Sequence, residues 1–381
     1  MELSVARSWS QSQLRKTDYW VVVILWLLFE TLWLSIWGFN FSNEGAKYIK
    51  EAVFLNENGF LSNDRFIFYS TTISLIALCT TIGIDYYGAV GILMIFNLLC
   101  YLYFFKASVI YFKSKIIGLS IVIFLLSFWP FQEWTLTLYS ESLFFSCIML
   151  LLGLILSFER TTRWFVFYLT LLLLLLVFTR PLGILFLLPA VFFLFFHLTR
   201  KQKVILFMIL IFSVALLIYV VQVVFTTTTD WSMDRAILDE SIICDMPVEK
   251  SGYVPALSNN SNQLYRLFYY VTNNFEYFIS IALERLKFFF FMVRDYYSRA
   301  HNLYLICFLS VIYLSILAGS RRLSRVLGKS RVIFIFSTVI LFATTVALQC
   351  DDYHNRFFLG LFPLLTVASA AAIASFIKRP F

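Results

Sequence analysis

The sequence has no cysteines at metal-ligand spacing, no train of short alternating apolar segments and no internal repeat. Its cysteines, Cys79, Cys100, Cys147, Cys244, Cys307 and Cys350, are scattered, which excludes a cysteine metal framework. Most fall within apolar runs, where a cysteine serves as a small core residue. Cys244 and Cys350 fall in loops, where a bond between them is open. The missing alternation excludes a transmembrane β-barrel. The missing repeat removes the usual signature of a repeat-built transporter. The opening "MELSVARSWSQSQLRKTDYW" is polar for too long to be a signal peptide and has no cleavage site, so the apolar run 21–39 is expected to be retained.

What the chain does have is apolar length. It is 61% hydrophobic and 19% aromatic, against about half apolar for a soluble domain. Apolar runs occur at 21–39, 66–84, 87–105, 116–132, 142–158, 164–179, 182–198, 204–225, 302–318, 332–348 and 357–377. Many reach the length a helix needs to cross hydrocarbon. The expected fold is an all-α polytopic membrane protein.

The net charge of +8 does not indicate nucleic acid, because the charges sit at the ends of these runs. The clusters are Arg7/Arg15/Lys16, Lys106/Lys113/Lys115, Arg160/Arg163, Arg200/Lys201/Lys203, Arg321/Arg322/Arg325/Lys329/Arg331 and Lys378/Arg379. By the positive-inside rule all six are cytoplasmic. Alternation then works from residue 106 onward. Between the outer loop 40–65 and the inner cluster 106–115, however, lie two apolar runs where an odd number of crossings is required. The run 66–84, richer in Ser, Thr and Cys, is expected to be re-entrant or interfacial. About ten crossings follow, with outer-face juxtamembrane helices. The expected organisation is a transmembrane module over 1–225, an extracytoplasmic loop with interfacial helices over 226–301, and C-terminal transmembrane helices over 302–381.

The acidic and irregular segments then gather on the outer side. In "FSNEGAKYIKEAVFL" (41–55), Glu44, Tyr48 and Ala52 recur at four-residue intervals and share one helix face. A helix resting on headgroups would show the same spacing. In "WPFQEWTLTLYSESLFF" (129–145), Glu133 follows a proline that ends a crossing, and Glu141 opens the next. There it gains from the positive helix end, with Ser140 expected as N-cap. In "VFTRPLGILF" (177–186), Arg180 is costly near a membrane unless it meets an anion. A headgroup or a fixed phosphate would serve, the second gripped bidentately. In "CDDYHNRFFLGLFPLL" (350–365), Asp351, Asp352, His354 and Arg356 mark a membrane boundary or, read as Asp-Asp-x-His, part of a metal site. Glu30, mid-way along the first crossing, is expected to be protonated or hydrogen-bonded to another helix. The aromatic stretch "FYYVTNNFEYFISIALERLKFFFFMVRDYY" reads as an interfacial helix on the outer leaflet, either as a lid or as part of a groove.

Together these segments resemble the GT-C superfamily of integral-membrane glycosyltransferases. That superfamily includes protein O-mannosyltransferases, lipid A aminoarabinose transferases and the PIG-V type of glycan-anchor mannosyltransferase. Glu44, Tyr48 and Ala52 match its acidic residue, +4 Tyr and +8 Ala in the first outer loop. "LYSESLF" (138–144), "TRPLG" (179–183) and "RFFLGLFPLL" (356–365) are similar to PIG-V-type stretches in the same order. The motifs cover about 20–370. The chain departs from the pattern in one place: the family has Asp, usually Asp-Glu, where this chain has Glu44-Gly45 preceded by Asn43.

The resemblance implies sugar transfer, with inversion, from a polyprenyl-phosphate donor to a glycan, lipid or protein acceptor on the outer face. Glu44 would be the base and Glu141 the second acidic group. Tyr48, Glu133, Arg180, His354 and Arg356 would bind substrate. A divalent cation is open as an aid to neutralising the phosphate. Membrane lipids are the surrounding partner, and a bacterial inner membrane with the site facing the periplasm is the expected location. The endoplasmic reticulum lumen is the alternative. Competing readings are a lipid or polysaccharide flippase working through Glu30, and an inactive relative lacking the Asp-Glu pair.

Overall fold

The computed structural model describes residues 14–199, 203, 240–244, 246, 256–258 and 262–377. The apolar run 204–225, most of the loop 226–262, Arg7 and the clusters at 200–201 and 378–379 lie outside the described residues. The longer helices are α1 (Lys16–Trp37), α2 (Glu44–Asn58), α3 (Ser70–Thr81), α4 (Tyr86–Phe112), α5 (Lys115–Ser127), α6 (Ser140–Leu156) and α7 (Arg163–Thr179). They continue with α8 (Leu187–Phe195), α9 (Gln263–Asn273), α10 (Phe275–Phe291), α11 (Arg299–Leu327), α12 (Lys329–Leu348) and α13 (Phe362–Ile377). Among the described residues there is no β-strand, only two isolated bridges. The protein is all-α.

Among the described residues four helices, α1, α4, α11 and α12, are long and apolar enough to cross a membrane. A fifth candidate joins α5 to the segment Trp129–Leu136 through a 76° bend. The run 116–132 is therefore not one straight helix. Phe128 leaves helical geometry (φ −86°, ψ 90°), because a residue two before Pro130 opens a new turn with proline near its start. The last apolar run is broken too, into Arg356–Leu359 and α13. Phe362, at the head of α13, stacks on Phe128 with ring centroids 4.2 Å apart, so the two breaks pack on each other. Helix α3 has 12 residues, about 18 Å against a hydrocarbon core of about 30 Å.

The chain divides into two compact units. The first comprises residues 1–187, 311–335 and 359–381. At its centre is α6, buried along almost its whole length and packed by α4, α7 and α13. Gly153 is what allows α4 so close, since a Cβ there would come within 2.6 Å of the Tyr103 ring. At the other end of α6, Arg331 donates from Nε to the Ile155 carbonyl (3.0 Å) and from Nη2 to the Phe158 carbonyl (2.9 Å). A guanidinium thus satisfies carbonyls that a helix end leaves without partners. Glu30 is buried and accepts a hydrogen bond from Thr135 (2.6 Å), so the carboxylate in the first long helix meets a partner from the Glu133–Leu136 turn.

The second unit comprises residues 188–310 and 336–358. A parallel bridge pairs Ile243 with Asp351, and a disulfide joins the adjacent Cys244 and Cys350, 106 residues apart. Buried Arg285 donates to the carbonyls of Ser241 (2.9 Å) and Ala347 (3.0 Å), and buried Arg294 pairs with Asp351. Strand-like backbone, the disulfide and buried Arg285 fasten the 240–244 segment to the 347–352 segment, while Arg294 holds the latter from the 288–294 side. Replacing both Cys244 and Cys350 by Ser is expected to cost this unit about 2–4 kcal/mol. Thermal unfolding in detergent, with and without reductant, checks this; the reductant effect should vanish in the double variant.

Candidate active site

The site in the first unit is built around one register. Asn40 and Thr137 form a parallel bridge: the Asn40 amide donates to Leu136 O (3.1 Å), and the Leu138 amide to Asn40 O (3.2 Å). Glu44 stands four residues after Asn40, and Glu141 four residues after Thr137. Each lies in the first turn of its helix, α2 and α6 respectively. One bridge therefore aligns two helix starts, each bearing a carboxylate where the helix dipole favours it. The Tyr139 hydroxyl donates to Ser42 O (3.0 Å), tying the two approaches together again. Ser140 is not the N-cap: it is the first helical residue, after Tyr139, and its hydroxyl donates to Glu141 (3.2 Å).

Asn43, just before Glu44, has φ 51° and ψ −109°. This is a strained conformation for a residue with a side chain, of order 1–3 kcal/mol. It is the price of turning from the bridge into α2 within three residues.

Tyr48 and Ala52 are buried on the inward face of α2, which packs on α3, as the four-residue spacing predicts. Tyr48 holds its hydroxyl 3.5 Å from Glu44 Oε2. Burial pushes its phenol well above the usual range, and Tyr69, Glu44, Glu141 and Arg180 all act on it electrostatically. The phenol therefore stays protonated and is a donor. Glu141 is fully buried and forms an ion pair with Arg180, itself almost fully buried. Arg180 reaches it because the chain doubles back beyond α7: the Gly183 amide donates to Arg180 O (2.9 Å). A Cβ on Gly183 would lie 2.1 Å from Leu176 O, so only glycine fits this turn.

Glu44, Tyr48, Glu141 and Arg180 are thus brought together from three separate stretches of sequence. Glu133 sits on the 3₁₀ turn Glu133–Leu136, beyond the bend that ends α5.

His354 and Arg356 belong to the second unit. Arg356 is held by Asp352 (Nε–Oδ1 3.0 Å, Nη2–Oδ2 2.9 Å), and the His354 amide donates to the same carboxylate (2.9 Å). Asp352 thus organises this turn, while Asp351 serves Arg294. Among the described residues no three of His, Cys, Asp and Glu gather as a metal ligand set.

Sequence reading missed two features of the first unit. Glu51 is buried and accepts hydrogen bonds from the amide and the hydroxyl of Ser62 (both 2.6 Å), closing the return from α2. Its place seven residues after Glu44 on the same helical face was the available signal. Tyr69 ends the 3₁₀ turn Asp64–Tyr69, with its ring 5.4 Å from that of Tyr48. No periodicity marked it.

No family model, no curated protein and no solved structure matches the chain. Fold and site define an all-α protein with several membrane-length apolar helices and a carboxylate–tyrosine–guanidinium cluster.

Proposed function

We propose that the protein is a polytopic membrane glycosyltransferase of GT-C type, taking a sugar from a polyprenyl-phosphate donor on the outer face. Its chemistry needs a base, a neutralised leaving group and a place for a lipid chain. Glu44 removes the proton from an acceptor hydroxyl as that oxygen attacks the anomeric carbon. The bond from that carbon to the phosphate oxygen breaks, and the phosphate departs with the electron pair. Arg180 offsets the charge that develops there. A guanidinium presents its donors in a fixed fork, and Glu141 fixes its orientation. Tyr48 orients the Glu44 carboxylate. With one base and no covalent intermediate, the anomeric centre inverts.

The observation that carries this reading is the meeting of Glu44, Tyr48, Glu141 and Arg180 at two bridged helix starts. The Cys244–Cys350 disulfide supports an outer-face placement for the 240–244 and 350–356 segments, because such bonds persist in oxidising compartments. In this reading about ten helical segments cross or enter the membrane, and a bacterial inner membrane is the setting, with the site toward the periplasm.

The test is transfer, or donor hydrolysis, by the purified protein in nanodiscs offered a panel of radiolabelled polyprenyl-phosphate sugars. Turnover dependent on the lipid-phosphate donor is the expected result. Donor binding with no turnover on any acceptor would replace this reading with that of an inactive relative.

A further inference from the structure

We infer that Tyr69 is the platform on which the donor's sugar ring lies, so that this site reads the sugar as well as the phosphate; this rests on the function proposed above. The Tyr48 and Tyr69 rings stand 5.4 Å apart with planes 31° from parallel. Of the two, Tyr48 is buried and Tyr69 half-buried, so Tyr69 takes the outer place in the stack. Tyr48 meets Glu44 at its hydroxyl, which puts the aromatic wall beside the carboxylate assigned as base.

The chemistry of this grouping is that of a carbohydrate site. A pyranose carries C–H groups on its faces and hydroxyls around its rim. An aromatic face suits the first, and carboxylate and guanidinium groups suit the second. A phosphate alone would call for the cation but not for the tyrosine wall. Few polar groups converging beside an aromatic surface is also how small-molecule sites achieve orientation.

Tyr69 is also held in place as a recognition residue should be. Asn63 caps its turn by accepting from the Arg65 amide (3.0 Å), and Glu51 locks the preceding Ser62. The turn packs against α7, the helix that leads into Arg180. Platform and cation are therefore set by one packed assembly rather than by a loose loop.

Two kinds of ligand decide the matter in nanodiscs: polyprenyl phosphate carrying glucose, mannose or aminoarabinose, and the same polyprenyl phosphate without sugar. Wild type is expected to bind one sugared lipid about tenfold more tightly than the bare one. Tyr69→Leu should lose that preference while binding the bare lipid as wild type does, which also reports that the site is folded. Tyr69→Phe should keep the preference. If Tyr69→Leu retains it, or wild type binds both lipids equally, the platform is overturned, while loss of transfer in Glu44→Gln would leave the catalytic reading standing. Binding of neither lipid by wild type would overturn both.

Discussion

Glu44→Gln is expected to leave the protein folded and to lower sugar transfer by about 10²–10⁴-fold, the usual contribution of a general base. Gln keeps the size and one hydrogen-bonding oxygen of Glu, so the 3.5 Å approach of the Tyr48 hydroxyl can persist. What it cannot do is accept a proton from the acceptor hydroxyl. Glu44 is half-buried, whereas Gly45, Tyr48, Glu51 and Ala52 are the buried residues of α2. Donor affinity should therefore change little while the rate collapses. The check is single-turnover transfer at saturating donor, alongside a melting curve. Equal turnover in both proteins would remove Glu44 from the mechanism and move attention to Glu141.

The second large effect is on stability. Glu141 and Arg180 form an ion pair whose side chains are 0% and 8% exposed. Removing one member strands the other's charge in the interior, so Arg180→Met or Glu141→Gln alone is expected to cost about 3–5 kcal/mol. The double variant should recover much of that loss, because two neutral side chains leave no charge to solvate. A double-mutant cycle on melting temperatures isolates the coupling. Singles that melt with wild type would mean that water reaches the pair. Transfer should be lost wherever Arg180 is replaced, since the double variant restores packing but no cation for the departing phosphate.

What was legible in the sequence followed from how local each signal is. The Glu44, Tyr48, Ala52 face is a four-residue period, and a helix turns any such period into a stripe. The cluster at Tyr48 was legible only as separate segments. That Glu141 would neutralise Arg180 depends on the Gly183 turn folding back on α7, which no spacing announces. Arg356 was readable as a cation but not as one committed to Asp352, and Tyr69 was invisible because a 3₁₀ turn carries no long-range period. Apolar runs gave the helices but not their breaks. Pro130 bends one run by 76°, and hydropathy averages across such a bend.

The Asn40–Thr137 bridge has a consequence for how the chain tolerates length change. It works as a zero mark from which two equal counts of four run to Glu44 and Glu141. One residue gained or lost on a single side would turn that helix by about 100° relative to its partner and swing one carboxylate away from the other. Insertions in the loop 59–61, between Glu51 and its partner Ser62, would leave those two counts unchanged and act instead on the closure that holds the Tyr69 turn. Length is thus constrained most tightly over two four-residue intervals, and the strained Asn43 sits inside one of them.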